Sequence, residues 1–146
     1  MIALGSDHGG LALKEEVKQY LDEKKVPYRD FGTDTAESCS YAQMAVEPCR
    51  AVQRGECEKA LLFCGTGIGI SMSANKMRGI RAAVCSDYFS AKYTRLHNDA
   101  NVLCLGGRVV GPGLAIELVE VFLATEPEGG RHAERVAQIM QLEQER

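Results

Sequence analysis

Short apolar runs of strand length alternate with amphipathic stretches of helix length along this chain, and that alternation constrains its fold more than any other feature. Strands are expected near 1–6, 27–31, 60–64, 80–85 and 101–106. Helices are expected near 10–24, 40–54, from about 70, and near 87–96, 112–124 and 131–145. Such an order implies right-handed βαβ crossovers and a parallel sheet of about five strands covered on both faces. The expected architecture is a single-domain three-layer α/β/α sandwich of Rossmann-like type over residues 1–146. A chain of 146 residues with 45% hydrophobic content supports one good core, and no repeat, low-complexity tract or Pro/Gly/Ser linker divides it.

Within that pattern, Leu13, Val17, Tyr20 and Leu21 form the buried stripe of the first helix, while Lys14, Glu15, Lys18 and Asp22 face away. Pro48 falls inside the 40–54 region, where it removes a helical hydrogen bond and clashes one turn back, so a kink or a restart near Glu47 is expected. The 112–124 helix carries Leu114, Ala115, Ile116, Leu118, Val119, Val121 and Phe122. It is apolar around more of its circumference than a singly buried helix needs, which suggests cover from a partner subunit.

The net charge of −3 and a pI of about 5.6 provide no global positive field for nucleic acid or an anionic membrane. No basic segment followed by an apolar stretch and cleavage site opens the chain, and no apolar run reaches membrane-spanning length. Six cysteines at 39, 49, 57, 64, 85 and 104 show no C-x-x-C pairing, which argues for reduced thiols and against a zinc site. A cytoplasmic protein is expected.

The segment Ala60 to Lys76, ALLFCGTGIGISMSANK, aims a cysteine and a glycine-rich turn at one point. Ala60 to Phe63 read as a buried strand, so Cys64 falls at a strand's carboxyl end, where open α/β sheets bind ligands. Gly65, Gly67 and Gly69 permit backbone angles that other residues resist, and the next helix offers N–H groups near Ser71. Such donors lower a cysteine pKa from its usual value of about 8.5. The loop therefore offers a base and a set of donors for an anion. Its Gly-x-Gly-x-Gly pattern is not the G-x-G-x-x-G dinucleotide fingerprint, and no G-x-x-x-x-G-K-[ST] phosphate loop occurs, so no cofactor is expected.

Asp7-His8 follows the first strand as Cys64 follows the third, so both can line one crevice, and a carboxylate beside an imidazole can move protons between sugar oxygens. The other two histidines lie in His97-Asn98-Asp99-Ala100-Asn101 and in Gly129-Gly130-Arg131-His132. Bracing of loops by His8 and His97 accounts for them equally well when each is taken alone. Arg131 and Arg135, one helical turn apart, form a receptor for a phosphate dianion or else a solvated face, and Arg108 is a third candidate for the same anion. No cysteine or histidine spacing suits a metal site.

Together, Asp7-His8, the Cys64–Ser71 loop with Ala74-Asn75-Lys76, the segment from His97 to Val102, and Gly130-Arg131-His132 with Arg135 resemble the ribose 5-phosphate isomerase B family. That family also includes galactose 6-phosphate and allose 6-phosphate isomerases, and the resemblance covers essentially the whole chain in order. It implies an aldose–ketose isomerisation through a cis-enediolate. Cys64 would move a proton from C2 to C1, with Thr66 hydrogen-bonding nearby to orient or activate it. Backbone N–H groups from Gly65 through Gly67 and Ile68 to Gly69 would hold the enediolate oxygen. His97, helped by Asp7, would open the furanose ring. His8, Arg131 and Arg135 would bind phosphate, with Arg108, Asn98 and Tyr41 lining the sugar.

The resemblance further implies that His97, Asn98, Arg108, Arg131 and Arg135 come from a second subunit of a homodimer or dimer of dimers, with a C-terminal helix packing on the partner. Two departures stand out. Ser40-Tyr41-Ala42 replaces the family's usual Asp-Tyr-Pro, and Ile70 occupies the position where some members carry a glutamate base. Cys64 is thus the candidate base here.

Three rival readings remain. A six-carbon 6-phosphate, allose or galactose, competes with ribose 5-phosphate, although His97 favours the ribose enzyme over the galactose-specific members. A cysteine hydrolase would use Cys64 as nucleophile and His97 as base, and leaves Arg131 and Arg135 without a role. A non-catalytic phosphate- or nucleotide-binding module would leave Cys64 as a small buried hydrophobe.

Overall fold

Five strands pair in parallel in the order β2-β1-β3-β5-β4: Ile2–Ser6 (β1), Tyr28–Asp30 (β2), Lys59–Cys64 (β3), Ala82–Val84 (β4) and Val102–Gly106 (β5). The computed structural model describes residues 1–145. Its helices are Leu11–Glu23 (α1), Tyr41–Gln53 (α2), Ile68–Ala74 (α3), Tyr88–Asn98 (α4), Pro112–Ala124 (α5) and Arg131–Glu143 (α6), with a 3-10 turn at His8–Gly10. The three-layer sandwich expected from the alternation is the one observed.

Strand alternation divides the core in two. Ile2, Leu4, Leu61, Phe63, Leu103 and Leu105 point to one face and pack with Leu13, Val17 and Leu21 of α1, Ala91 of α4, and Leu118 and Phe122 of α5. Ala3, Ala60, Leu62, Cys64, Val102 and Cys104 point to the other, beneath Ala45 and Cys49 of α2 and Ile70 and Ala74 of α3. The second face is lined by smaller side chains, which lets α2 and α3 lie close to the strands.

Four local expectations are corrected. Lys14 does not face solvent: it is fully buried, with Nζ donating to Asp30 Oδ1 and to Thr33 O, each at 2.7 Å. Burial alone would raise the Asp30 pKa, but hydrogen bonds from Lys14, the Gly32 N–H and Lys18 hold it below its ordinary value. Pro48 does not break α2. A Cβ on Gly5 would come within 2.6 Å of Pro48 Cγ and 2.9 Å of the Met44 carbonyl oxygen. The proline ring and the carbonyl that its missing N–H leaves unbonded both press on Gly5, where a side chain has no room.

The apolar girth of α5 is largely covered within its own chain, with Leu114 left 37% exposed. The helix lies between α1 and α4 of its own chain and buries Ala115, Leu118, Val119, Val121 and Phe122, with Tyr20 of α1 donating to Glu120 at 2.7 Å. Finally, α3 begins two residues earlier than expected, because Gly67 at φ +80° turns the chain directly into it.

Candidate active site

Chain order reverses direction in the sheet between β1 and β3, the switch point where open α/β sheets bind ligands outside the strand carboxyl ends. Ser6 pairs with Phe63 there, and the Asp7 N–H donates to Phe63 O at 3.1 Å, so Asp7 and Cys64 leave the sheet side by side. Asp7 is buried and caps the 3-10 turn, with Oδ1 accepting from the Gly10 N–H at 3.1 Å. The turn fits only because Gly10 lacks a Cβ, which would run into Phe63.

Cys64 Sγ accepts the Gly67 N–H at 3.1 Å, the donor geometry that stabilises a thiolate. Burial pushes the Cys49 thiol up to about 12 and the Cys85 thiol to about 11. Thr66 Oγ1 accepts the Ile68 N–H at 3.1 Å, one bond within the loop that follows Cys64. Gly69 leaves space that the Tyr41 ring fills, since a Cβ there would lie 2.6 Å from a ring carbon. Ser40 makes this possible by capping α2 through the Gln43 N–H at 3.4 Å, so the Ser-Tyr-Ala sequence still delivers Tyr41 to the loop.

His8 stands beside Asp7, and its Nδ1 accepts the Cys39 N–H at 3.2 Å. That bond fixes the neutral tautomer with hydrogen on Nε2, turned into a donor. Arg108 is already at this loop in its own chain, contrary to its expected supply by a partner. Gly107 N–H donates to Cys64 O at 2.8 Å and Arg108 N–H to Gly65 O at 3.0 Å, which lays the guanidinium against Gly65.

The remaining expected residues gather elsewhere. The eleven-residue helix α4 runs back along the sheet from the carboxyl edge and ends at His97 and Asn98 beside the start of β5, about 16 Å away at 1.5 Å per residue. The His97 ring stacks on His132 with centroids 3.9 Å apart and planes 6° from parallel. Glu128 reaches both rings, 3.9 Å to His97 Nε2 and 3.4 Å to His132 Nε2. Arg131 and Arg135 are exposed on the first turns of α6, and Asn98 is exposed nearby.

Sequence spacing singled out His132 only within the Gly130-Arg131-His132 run and did not single out Glu128; folding brings both to His97. The donor atoms of His97, Glu128 and His132 lie within 4.8 Å of one another, the spacing of a possible metal set. Parallel stacked rings, however, aim their in-plane lone pairs side by side instead of at one point. The two rings therefore do not offer the converging lone pairs that a metal ion takes.

A thiol under a backbone donor, a carboxylate and an imidazole beside it and a guanidinium over the loop bring groups able to carry protons and to bind an anion into one crevice. The chain belongs to the ribose/galactose isomerase family, whose model matches residues 2–139. It is 48% identical over 145 residues to ribose-5-phosphate isomerase B of Escherichia coli, covering 99% of this chain and 97% of that one. Its fold matches the structure of Clostridium thermocellum ribose-5-phosphate isomerase B with a TM-score of 0.97 and 47% identity, covering 99% and 97% of the two chains. It also matches ribose-5-phosphate isomerase B of Mycoplasma genitalium with bound ribulose-5-phosphate, at a TM-score of 0.94 and 35% identity, over 99% and 97%. Among the described residues, no helix is long and apolar enough to cross a membrane.

Proposed function

We propose that this protein interconverts ribose 5-phosphate and ribulose 5-phosphate, in a site shared between two copies of the chain. The observation that carries this reading is Cys64 Sγ under the Gly67 N–H at the β1/β3 switch point, with Asp7 and His8 alongside. Ring opening comes first. The C1–O4 bond breaks, O4 takes a proton from His97, and the O1 hydroxyl proton passes to Asp7 as the aldehyde forms.

The Cys64 thiolate then removes the C2 proton and returns it to C1, while the O2 hydroxyl proton moves to O1. Loop N–H groups hold the enediolate charge, an effect worth about 10²- to 10³-fold per donor. The Thr66 hydroxyl is free to donate to a sugar oxygen. His8 Nε2–H and the Arg131 and Arg135 guanidinium groups bind the phosphate, and Arg108 and Asn98 line the sugar.

Two features support sharing. His97, Asn98, Arg131 and Arg135 sit at the amino edge of the sheet and do not reach Cys64 of their own chain. Around the carboxyl edge, Ile68, Met72, Val84, Tyr88, Phe89 and Val109 are exposed apolar side chains, the cover a second copy would supply. The helix α6, which buries none of its residues in one chain, then packs on the partner. Sugar phosphate is the substrate, with no metal or cofactor in the scheme and the cytoplasm as its setting.

A coupled assay comparing ribose 5-phosphate with allose 6-phosphate after exhaustive chelation tests the reading. Faster turnover of ribose 5-phosphate, unchanged by chelation, is expected. Preference for the six-carbon sugar overturns the substrate assignment, and loss of activity restored by one divalent ion overturns the metal-free scheme.

A further inference from the structure

The pairing of His97 with His132 rests on a specific local construction. Gly129 and Gly130 take φ of +78° and +56°, turning the chain sharply before α6. The Glu128 N–H donates to Leu96 O at 3.0 Å, tying this turn to the last turn of α4. The turn thereby lays His132 flat on His97, whose other side meets the edge of Tyr93 at a centroid distance of 5.0 Å and 72°. Tyr93 is itself stacked on Phe89 at 4.2 Å. The His132 side chain is 13% exposed and that of His97 37%, so one ring backs the other and the front ring is the accessible one.

We propose that His132 and Glu128 are positioning residues for His97: the stack fixes the plane of its imidazole, the carboxylate that reaches both rings favours a proton on the pair, and repulsion between facing imidazolium ions opposes a second. This rests on the reading of His97 as the ring-opening acid. Two imidazolium ions face to face at 3.9 Å repel, so the pair titrates as one unit with separated steps. Burial, the charge of His97, and the Arg131 and Arg135 guanidinium groups lower the His132 pKa, against the carboxylate of Glu128. Asp99, the acid that lines a cavity of about 170 Å³ beside both rings, is engaged by Arg95 at 2.8 Å and Arg81 at 3.4 Å. His97, the more exposed of the two rings, is thus the one that can meet O4.

The test combines histidine NMR titration with kinetics on the full-length protein. In the wild type, the Cε1–H signals of His97 and His132 should each show two coupled steps. His132→Phe keeps a flat ring but removes the second site, so the His97 curve should become a single step. Glu128→Gln should move the His132 midpoint to lower pH and shift the alkaline limb of the kcat/KM profile down by about half a unit or more. His132→Ala, which also removes the stack, should lower kcat/KM on ribose 5-phosphate by about tenfold or more, mainly in kcat, and His132→Phe should recover part of that loss.

Single-step His97 titration in the wild type, or identical curves in wild type and both conservative variants, overturns the proposal, whatever happens to activity. So does an activity loss that vanishes once corrected for the folded fraction. Failure of the wild type to act on ribose 5-phosphate would instead overturn the functional reading and leave the coupled titration standing.

Discussion

The two clusters of expected site residues are built in opposite ways. At the carboxyl edge, Asp7, His8, Cys64, Thr66 and Arg108 are each set by main-chain hydrogen bonds or by contact with a glycine, and the two reactive groups, Asp7 and Cys64, are buried. At the amino edge, His97, His132 and Glu128 are held by ring stacking and a long ion contact, while Arg131, Arg135 and Asn98 lie exposed. The first is complete in geometry within one chain, and the second presents its chemistry outward. The difference teaches that a strand end fixes a side chain through the main chain around it, whereas a helix surface presents charge outward.

The sharpest break between the clusters is expected at the base. Cys64→Ala should lower isomerisation by about 10³-fold or more while leaving ribulose 5-phosphate binding, read by calorimetry, within a few-fold of wild type. Retention of a tenth of the wild-type turnover would remove Cys64 from that role. Next comes the link between clusters. Cys64→Ala and Arg135→Ala chains, each inactive alone, should regain about a quarter of wild-type activity when unfolded and refolded together, since half of randomly formed dimers are mixed and carry one intact site of two. Zero activity where mixed dimers demonstrably form would place the whole site in one chain.

A smaller effect, on stability alone, is expected from the support beneath the carboxyl-edge cluster. Lys14→Met leaves the Thr33 carbonyl without its donor and Asp30 with Lys18 and the Gly32 N–H only. The cost should be about 3 kcal/mol in urea unfolding, the low end for breaking a buried pair, because Asp30 keeps those partners. Because the folded Asp30 pKa is lowered, its contribution is present above the ordinary carboxylate range and is lost as pH falls through the folded value. The gap between wild type and Lys14→Met should therefore narrow in acid. A gap that is constant from neutral pH to pH 3 would show that the pair contributes through packing alone.

These regions also differed in how far they could be read from residues in order. The strand-end positions of Asp7 and Cys64 followed from apolar runs and glycines, which are local signals, and so did the five strands. Long-range pairing was not legible. Lys14 sits at a polar position of the α1 pattern, and only the return of the chain through β2 brings Asp30 and Thr33 to it. The apolar girth of α5 pointed to a partner because sequence does not show that α1 and α4 flank it on both sides. Arg108 was assigned to a second subunit, yet two backbone bonds from Gly107 and Arg108 to the Cys64 loop hold it at home. Glu128 carried no motif, and His132 was read only as part of the Gly130-Arg131-His132 run. Their relation to His97 exists only after α6 folds back along α4.

The interlocked glycines at the carboxyl edge bear on how such a site can diversify. A Cβ on Gly106 would meet the Thr66 backbone at 2.6 Å, one on Gly107 the Gly9 carbonyl oxygen at 2.7 Å, and one on Gly9 the Gly65 nitrogen at 3.1 Å. Three loops from β1, β3 and β5 therefore close on one another through bare main chain, and a side chain at Gly106 or Gly107 would have to displace a neighbouring loop's backbone. Mutational drift is thus barred from the floor of the site and confined to its rim, where Tyr41, Ile68 and Arg108 are exposed. A lineage with this floor can trade one sugar for another by changing its rim, but its proton chemistry is inherited whole.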